Sequence, residues 1–123
     1  MKRLLLISLL GIGALAADRD FNGRWNLHVQ TPRGRVWWLE VRGAGSEKLE
    51  GAFVGAPGGQ VDPLENARIE NGQLLFSYKR GKVTQNFRVT ARGGKLEGVR
   101  EEIVEGQPPS SLPFTGVANQ DET

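Results

Sequence analysis

The feature that most constrains this chain is a period of two. In the stretch Gly23-Arg24-Trp25-Asn26-Leu27-His28-Val29-Gln30-Thr31, the large apolar residues Trp25, Leu27 and Val29 alternate with Arg24, Asn26, His28 and Gln30. Such alternation predicts a strand with one face in a core and the other in water. Pro32 and Gly34 then suit a tight turn. Residues 35–42 repeat the pattern, with Trp37, Leu39 and Val41 on one face and Val36, Trp38, Glu40 and Arg42 on the other.

Short β-rich runs separated by glycine-containing turns continue to residue 117. Strands are expected at 48–54, 67–70, 73–79, 83–92, 95–102 and 112–117, with a glycine- and proline-rich loop over 55–63. Asn71-Gly72 and Gly93-Gly94 are two-residue hairpin signals. The tetrapeptide Lys-Leu-Glu-Gly occurs twice, at 48–51 and 95–98, each time after a turn and with a glycine suited to close packing or a bend. It is expected to be repeated corner geometry rather than a repeated site. No segment reads as a helix. Tight turns favour antiparallel neighbours, and eight such strands leave two bare edges unless the sheet closes or folds over. The expected fold is therefore an all-β antiparallel meander, a small barrel or a flattened barrel resembling a sandwich, of lipocalin-like form.

Residues 1–17 are set apart from this domain. Lys2 and Arg3 precede an apolar run from Leu4 to Leu15, and Ala14-Leu15-Ala16 has small residues where a signal peptidase would cut. The run is shorter than the ~20 apolar residues of a membrane span. The expected organisation is a signal peptide at 1–17, one domain at 18–117 and a frayed tail at 118–123. The protein is expected to be exported, periplasmic or secreted, with no stable membrane insertion after cleavage. Without Lys2 and Arg3 the remaining chain carries 14 basic and 14 acidic residues. No run of cations tracks a phosphate backbone, so nucleic acid is not an expected partner. The chain has no cysteine, so its core must hold the fold without disulfides, and a lipid-modified cysteine or a thiolate metal site is excluded.

Catalytic chemistry has little to work with. His28 is the only histidine, and its position in the first strand puts it on the water-facing side. The serines lie outside any nucleophile-elbow context. One histidine and no cysteine do not make a zinc site, and Asp62-Pro63 near Glu65 reads as turn chemistry rather than a calcium loop. No metal or other cofactor is expected. Glu101 and Glu102 are adjacent and must face opposite ways; Glu40 and Glu50 are the carboxylates that a hairpin would bring near each other.

The aromatic residues carry more information. Consecutive Trp37 and Trp38 must point to opposite faces of a strand. The phase of residues 25–29 makes Trp37 the core member and leaves Trp38 beside Val36, Glu40 and Arg42. A large apolar plane with a polar rim suits a sugar face or a protein partner. Arg33 and Arg35, at the first turn, mark a second candidate surface together with the 55–63 loop. The candidate ligand-binding residues are thus Trp38, Trp37, Arg35, Arg33 and Glu40, and the expected ligand is a glycan, a small molecule or a protein.

Several segments resemble a known unit. They are Phe21-Asn22-Gly23-Arg24-Trp25, Gly34-Arg35-Val36-Trp37-Trp38-Leu39-Glu40-Val41, Phe53-Val54-Gly55-Ala56-Pro57-Gly58-Gly59, Ile69-Glu70-Asn71-Gly72-Gln73-Leu74-Leu75-Phe76 and Pro113-Phe114-Thr115-Gly116-Val117. Together they resemble a small β domain that precedes the catalytic domain in some exported bacterial proteins of the 3-keto-disaccharide hydrolase family. In those longer relatives a concanavalin-like hydrolase domain follows. The resemblance implies export and a loose link to carbohydrate metabolism, and it brings no catalytic residue with it. Three functions follow as expectations. The first is a non-enzymatic exported binding or accessory domain. The others are a sugar-active hydrolase using Glu40 and Glu50, and a lipocalin-like carrier of an apolar molecule.

Overall fold

A computed structural model describes residues 17–55 and 59–119. A 3₁₀ turn, Asp18–Phe21, leads into nine strands: β1 (Gly23–Val29), β2 (Arg35–Arg42), β3 (Glu50–Val54), β4 (Asp62–Pro63), β5 (Arg68–Glu70), β6 (Gln73–Arg80), β7 (Val83–Arg92), β8 (Lys95–Val104) and β9 (Ser110–Ala118). They form one antiparallel sheet in the order β4-β3-β2-β1-β9-β8-β7-β6-β5. Chain neighbours are sheet neighbours throughout, except that β9 returns to pair with β1 and the sheet opens between β4 and β5. The result is an all-β half-barrel, as the alternation predicts.

The opening falls where the sequence reading was least complete. One strand at 67–70 was expected, with Asp62-Pro63 as a turn; instead the stretch 62–70 holds two short strands. Its first part pairs with Ala52 and Phe53 of β3, and the Leu64 N–H donates to the Gly51 carbonyl at 3.0 Å. Its second part turns to β6, with the Ser77 N–H donating to the Glu65 carbonyl at 3.0 Å. Between the two lies Asn66 at φ 55°, a left-handed conformation that asparagine tolerates better than most residues. The two edges of the sheet are therefore the two ends of one bent segment, which keeps both edges very short.

The sheet curls because its inward faces meet. Phe53 of β3 lies 4.8 Å from Phe87 of β7, and Trp37 of β2 lies 6.0 Å from Phe87 and 5.7 Å from Phe114 of β9. None of these pairs joins adjacent strands, so each contact spans the interior. Phe76 stacks on Phe87 at 4.5 Å. These rings sit with Leu27, Leu39, Val41, Leu74, Val89 and Leu96 in one core without a buried polar side chain among the described residues. Each such side chain contributes ~1.5–3 kcal/mol by leaving water.

One end of the half-barrel is closed by the 3₁₀ turn. Phe21 is buried, and its carbonyl accepts a 2.9 Å hydrogen bond from Trp25 Nε1. Asn22 holds the turn to the β2–β3 corner: its Oδ1 accepts from the Ala44 N–H at 2.8 Å and its Nδ2 donates to the Ala44 carbonyl at 3.3 Å. At the other terminus β9 runs to Ala118, opposite Trp25, and the Asn119 N–H donates to the Arg24 carbonyl at 2.8 Å. Residues 120–123, like 1–16 of the expected signal peptide, lie outside the described residues.

The repeated tetrapeptide has a common physical basis. Gly51 pairs with Val41 and Gly98 with Val89, in both cases an inward valine on the preceding long strand. A Cβ at Gly51 would collide with the Glu40 carbonyl oxygen, and one at Gly98 would lie 2.6 Å from both the Arg88 carbonyl oxygen and the Phe114 ring. The glycines leave room for the neighbouring backbone carbonyl and, at Gly98, for the Phe114 ring. Gly51→Ala and Gly98→Ala are each expected to destabilise the fold by ~1–3 kcal/mol through overpacking. Urea unfolding of the two variants checks this; midpoints equal to wild type contradict it.

Candidate functional site

The five candidate residues fall into three places rather than one. Trp37 is 1% exposed, its ring enclosed by Phe53, Phe87 and Phe114 and covered by the Arg100 guanidinium at 5.1 Å from its centroid. Its candidacy as a ligand contact is corrected accordingly: the phase that predicts it as the core member leaves it no open face. Trp38 lies on the opposite, outer face, as consecutive strand residues must.

Around Trp38 the outer face is laid out by register. Trp38 stands opposite Val54 of β3 and Asn26 of β1, and Asn26 stands opposite Val117 of β9. The indole is half-buried in this row. The next row brings Ala52, Glu40 and Arg24 side by side. Glu40 Oε2 lies 3.9 Å from the Nε of both Arg24 and Arg42, and its side chain is only 24% exposed. On the other side are Val36, which is 47% exposed, His28 and Thr115. Asn119 Nδ2 donates to Asn26 Oδ1 at 3.4 Å. The central row is thus Val54, Trp38, Asn26 and Val117, with the amide between the indole and Val117; Val36 and His28 lie to one side of it and Glu40 and Arg24 to the other.

Arg33 and Arg35 occupy the β1–β2 turn and the start of β2, where with Thr31, Pro32, Gly34 and Val36 they line an open hollow of about 730 Å³. The 55–63 loop is described only in part, residues 56–58 lying outside the described residues. Arg35 has the inward phase of Trp37 and so belongs to the barrel end away from the 3₁₀ turn, not to the Trp38 face.

That end also carries Arg100, paired with Glu102. On β8, Leu96 and Gly98 set an inward phase that continues through Arg100 and Glu102. Glu102 Oε1 accepts from Gln85 Nε2 at 3.0 Å and lies 3.5 Å from a terminal nitrogen of Arg100. Glu101 points outward and accepts from Asn86 Nδ2 at 3.4 Å; the two adjacent carboxylates face opposite ways, as expected. At the same end Tyr78 is buried, and its hydroxyl donates to the Asp62 carbonyl at 3.3 Å. Arg80 lies over the Tyr78 ring at 5.1 Å and contacts Glu65 at 3.4 Å and Asp62 at 3.9 Å. Asp62 and Glu65 therefore fasten the bent strand to β6 through Arg80. Glu40 and Glu50 share the outer face of β2 and β3, where Glu50 stands opposite Arg42. Among the described residues no group of three or more histidine, cysteine or acidic side chains is placed to hold a metal.

Burial, reinforced by the charges of Asp62 and Glu65 and opposed by Arg80, pushes the Tyr78 phenol well above its ordinary value. The proton is thus held more tightly in the folded state than in the unfolded one, so this contribution to stability is complete below the unfolded phenol value of ~10 and is lost as pH rises through the higher folded value. Tyr78 is the only tyrosine in the chain, so phenolate absorbance reports it alone. An alkaline titration is expected to show ionisation delayed above the ordinary range and coincident with unfolding. An ordinary titration curve in folded protein contradicts this.

Comparison with family models, with curated proteins and with solved structures finds no match to this chain.

Proposed function

We propose that the protein is an exported, non-enzymatic β domain that binds a glycan across the outer face of β1, β2, β3 and β9, as an accessory to carbohydrate metabolism. The observation that carries this reading is the half-buried Trp38 indole, set between Val54 and the amide of Asn26 with charged and imidazole groups in the neighbouring rows. A sugar ring presents an apolar face and a polar edge, and this surface offers an aromatic plane with Asn26, His28, Arg24 and Glu40 around it. The resemblance to the β domain of 3-keto-disaccharide hydrolase proteins points the same way and stands on the quoted segments alone. Export rests on the pattern of residues 1–17; no helix among the described residues is long and apolar enough to cross a membrane.

The competing readings have less behind them. A hydrolase using Glu40 and Glu50 would place its carboxylates on an exposed sheet face, with Glu40 between two guanidinium groups, rather than in a cleft that excludes water. A lipocalin-like carrier requires interior space where Trp37, Phe53, Phe76, Phe87 and Phe114 pack together.

Titration of the protein with a panel of disaccharides and 3-keto-glycosides tests the proposal. At least one sugar is expected to bind, and Trp38→Ala is expected to weaken it by about thirtyfold, the loss of a contact worth ~2 kcal/mol, with the thermal midpoint unchanged. Equal binding by wild type and variant contradicts the proposal. Turnover of a 3-keto-glycoside that Glu40→Gln abolishes would favour the hydrolase.

A further inference from the structure

The outer face carries a second feature beyond the surroundings of Trp38, an open hollow of about 470 Å³ over β7, β8 and β9. Strand register builds it. Gln73 of β6 stands opposite Thr90 of β7, Thr90 opposite Glu97 of β8, and Glu97 opposite Thr115 of β9. All four residues line the hollow. They share the outer phase, because Leu74, Val89, Leu96 and Phe114 beside them in sequence are buried. In the adjoining row Arg88 stands opposite Val99, and Val99 opposite Pro113; these three line the hollow too. Val99 and Pro113 set an apolar patch beside the polar row, and Gly98 adds main chain with no side chain over it.

The row does not stop at the hollow. Thr115 stands opposite His28 of β1, and His28 opposite Val36 of β2. One continuous line of outward side chains, Gln73, Thr90, Glu97, Thr115, His28 and Val36, therefore crosses six strands. At the usual spacing of ~4.8 Å between strands, the line is about 24 Å long. Its far end lies beside Trp38, two residues along β2 from Val36 and on the same face. The hollow and the Trp38 surroundings are thus the two ends of one surface.

The chemistry of that surface selects its occupant. The hollow carries one guanidinium, Arg88, and one carboxylate, Glu97, so their formal charges cancel. An anion would meet Glu97, and a cation would meet Arg88. Gln30 and Gln73 each bring an amide that donates and accepts, and Thr90 and Thr115 each bring a hydroxyl. A ligand that satisfies such a mixture needs polar groups able to do both. Hydroxyl groups are of that kind, and a sugar ring adds the apolar face that Val99, Pro113 and the Trp38 indole can cover.

Resting on the glycan reading above, we propose that the hollow is a second sugar subsite, and that the ligand is a neutral linear oligosaccharide longer than a disaccharide. It lies across the strands, from Trp38 to Gln73. A disaccharide, only two rings long, reaches one end of this line and not both.

Calorimetric titration of the whole protein with maltose, cellobiose and laminaribiose, each beside the pentasaccharide of its series, tests the proposal. In at least one series the pentasaccharide is expected to bind about tenfold more tightly than its disaccharide, because the second subsite acts on a ligand already held. Gln73→Ala combined with Glu97→Ala is expected to weaken the pentasaccharide about tenfold, to the level of the disaccharide. A second readout needs no substitution. By NMR the pentasaccharide is expected to shift the backbone amides of Thr90, Glu97 and Thr115, which the disaccharide leaves in place. Equal binding at both lengths, or those three amides unmoved under saturating pentasaccharide, overturns the second subsite and leaves the Trp38 reading standing. No binding by any of the sugars, short or long, overturns both.

Discussion

Everything in this fold depends on aromatic rings that meet across the interior of one curled sheet. A meander of short strands gives only neighbour-to-neighbour hydrogen bonds, which on their own permit an open ribbon. The contacts of Phe53 with Phe87, and of Trp37 with Phe87 and Phe114, join strands that the hydrogen-bond ladder keeps apart. They set the curl, and the curl brings β9 beside β1 and the two halves of the 62–70 stretch to the two edges. With no cysteine in the chain, this packing carries the stability that many small domains draw from disulfides.

The same ring packing divides the candidate residues between two faces. Trp37 is drawn inward, so its neighbour Trp38 is forced outward. The inward phase that holds Trp37 also carries Arg35 and, across the interior, Arg100. One alternation therefore produces two different environments: an outer face where Trp38 and valines interleave with polar groups, and a charged inner rim where a guanidinium covers the end of the aromatic core. Polar residues cluster where the hydrophobic filling ends, because the barrel end is the first place along each inward row where water can reach.

Most of the architecture was legible from period-two alternation and turn chemistry. Asn71-Gly72 turns with φ values of 51° and 78°, as a primed hairpin requires. The opposite fates of Trp37 and Trp38 followed from phase alone. The break of the 62–70 strand was not legible, because Pro63 and Asn66 read locally as loop residues while their partners, Ala52 and Ser77, lie on two different strands, one before and one after the segment. The Arg100–Glu102 pair was missed for a different reason. Charged residues at inward positions look like a strand leaving the core, and only the neighbouring strands reveal that Trp37 and Gln85 receive them. Candidate site residues near in sequence, such as Arg35 and Trp38, proved to sit on different faces.

The central claim, that rings from strands outside hydrogen-bonding reach fill the interior, is most directly tested by proton–proton nuclear Overhauser contacts in solution. Strong cross-peaks between the Phe53 and Phe87 ring protons, and between the Trp37 indole and the Phe114 ring, are expected. Their absence, with water contacts to those rings instead, would contradict the packing on which the curl, the outward Trp38 and the capped Trp37 all rest.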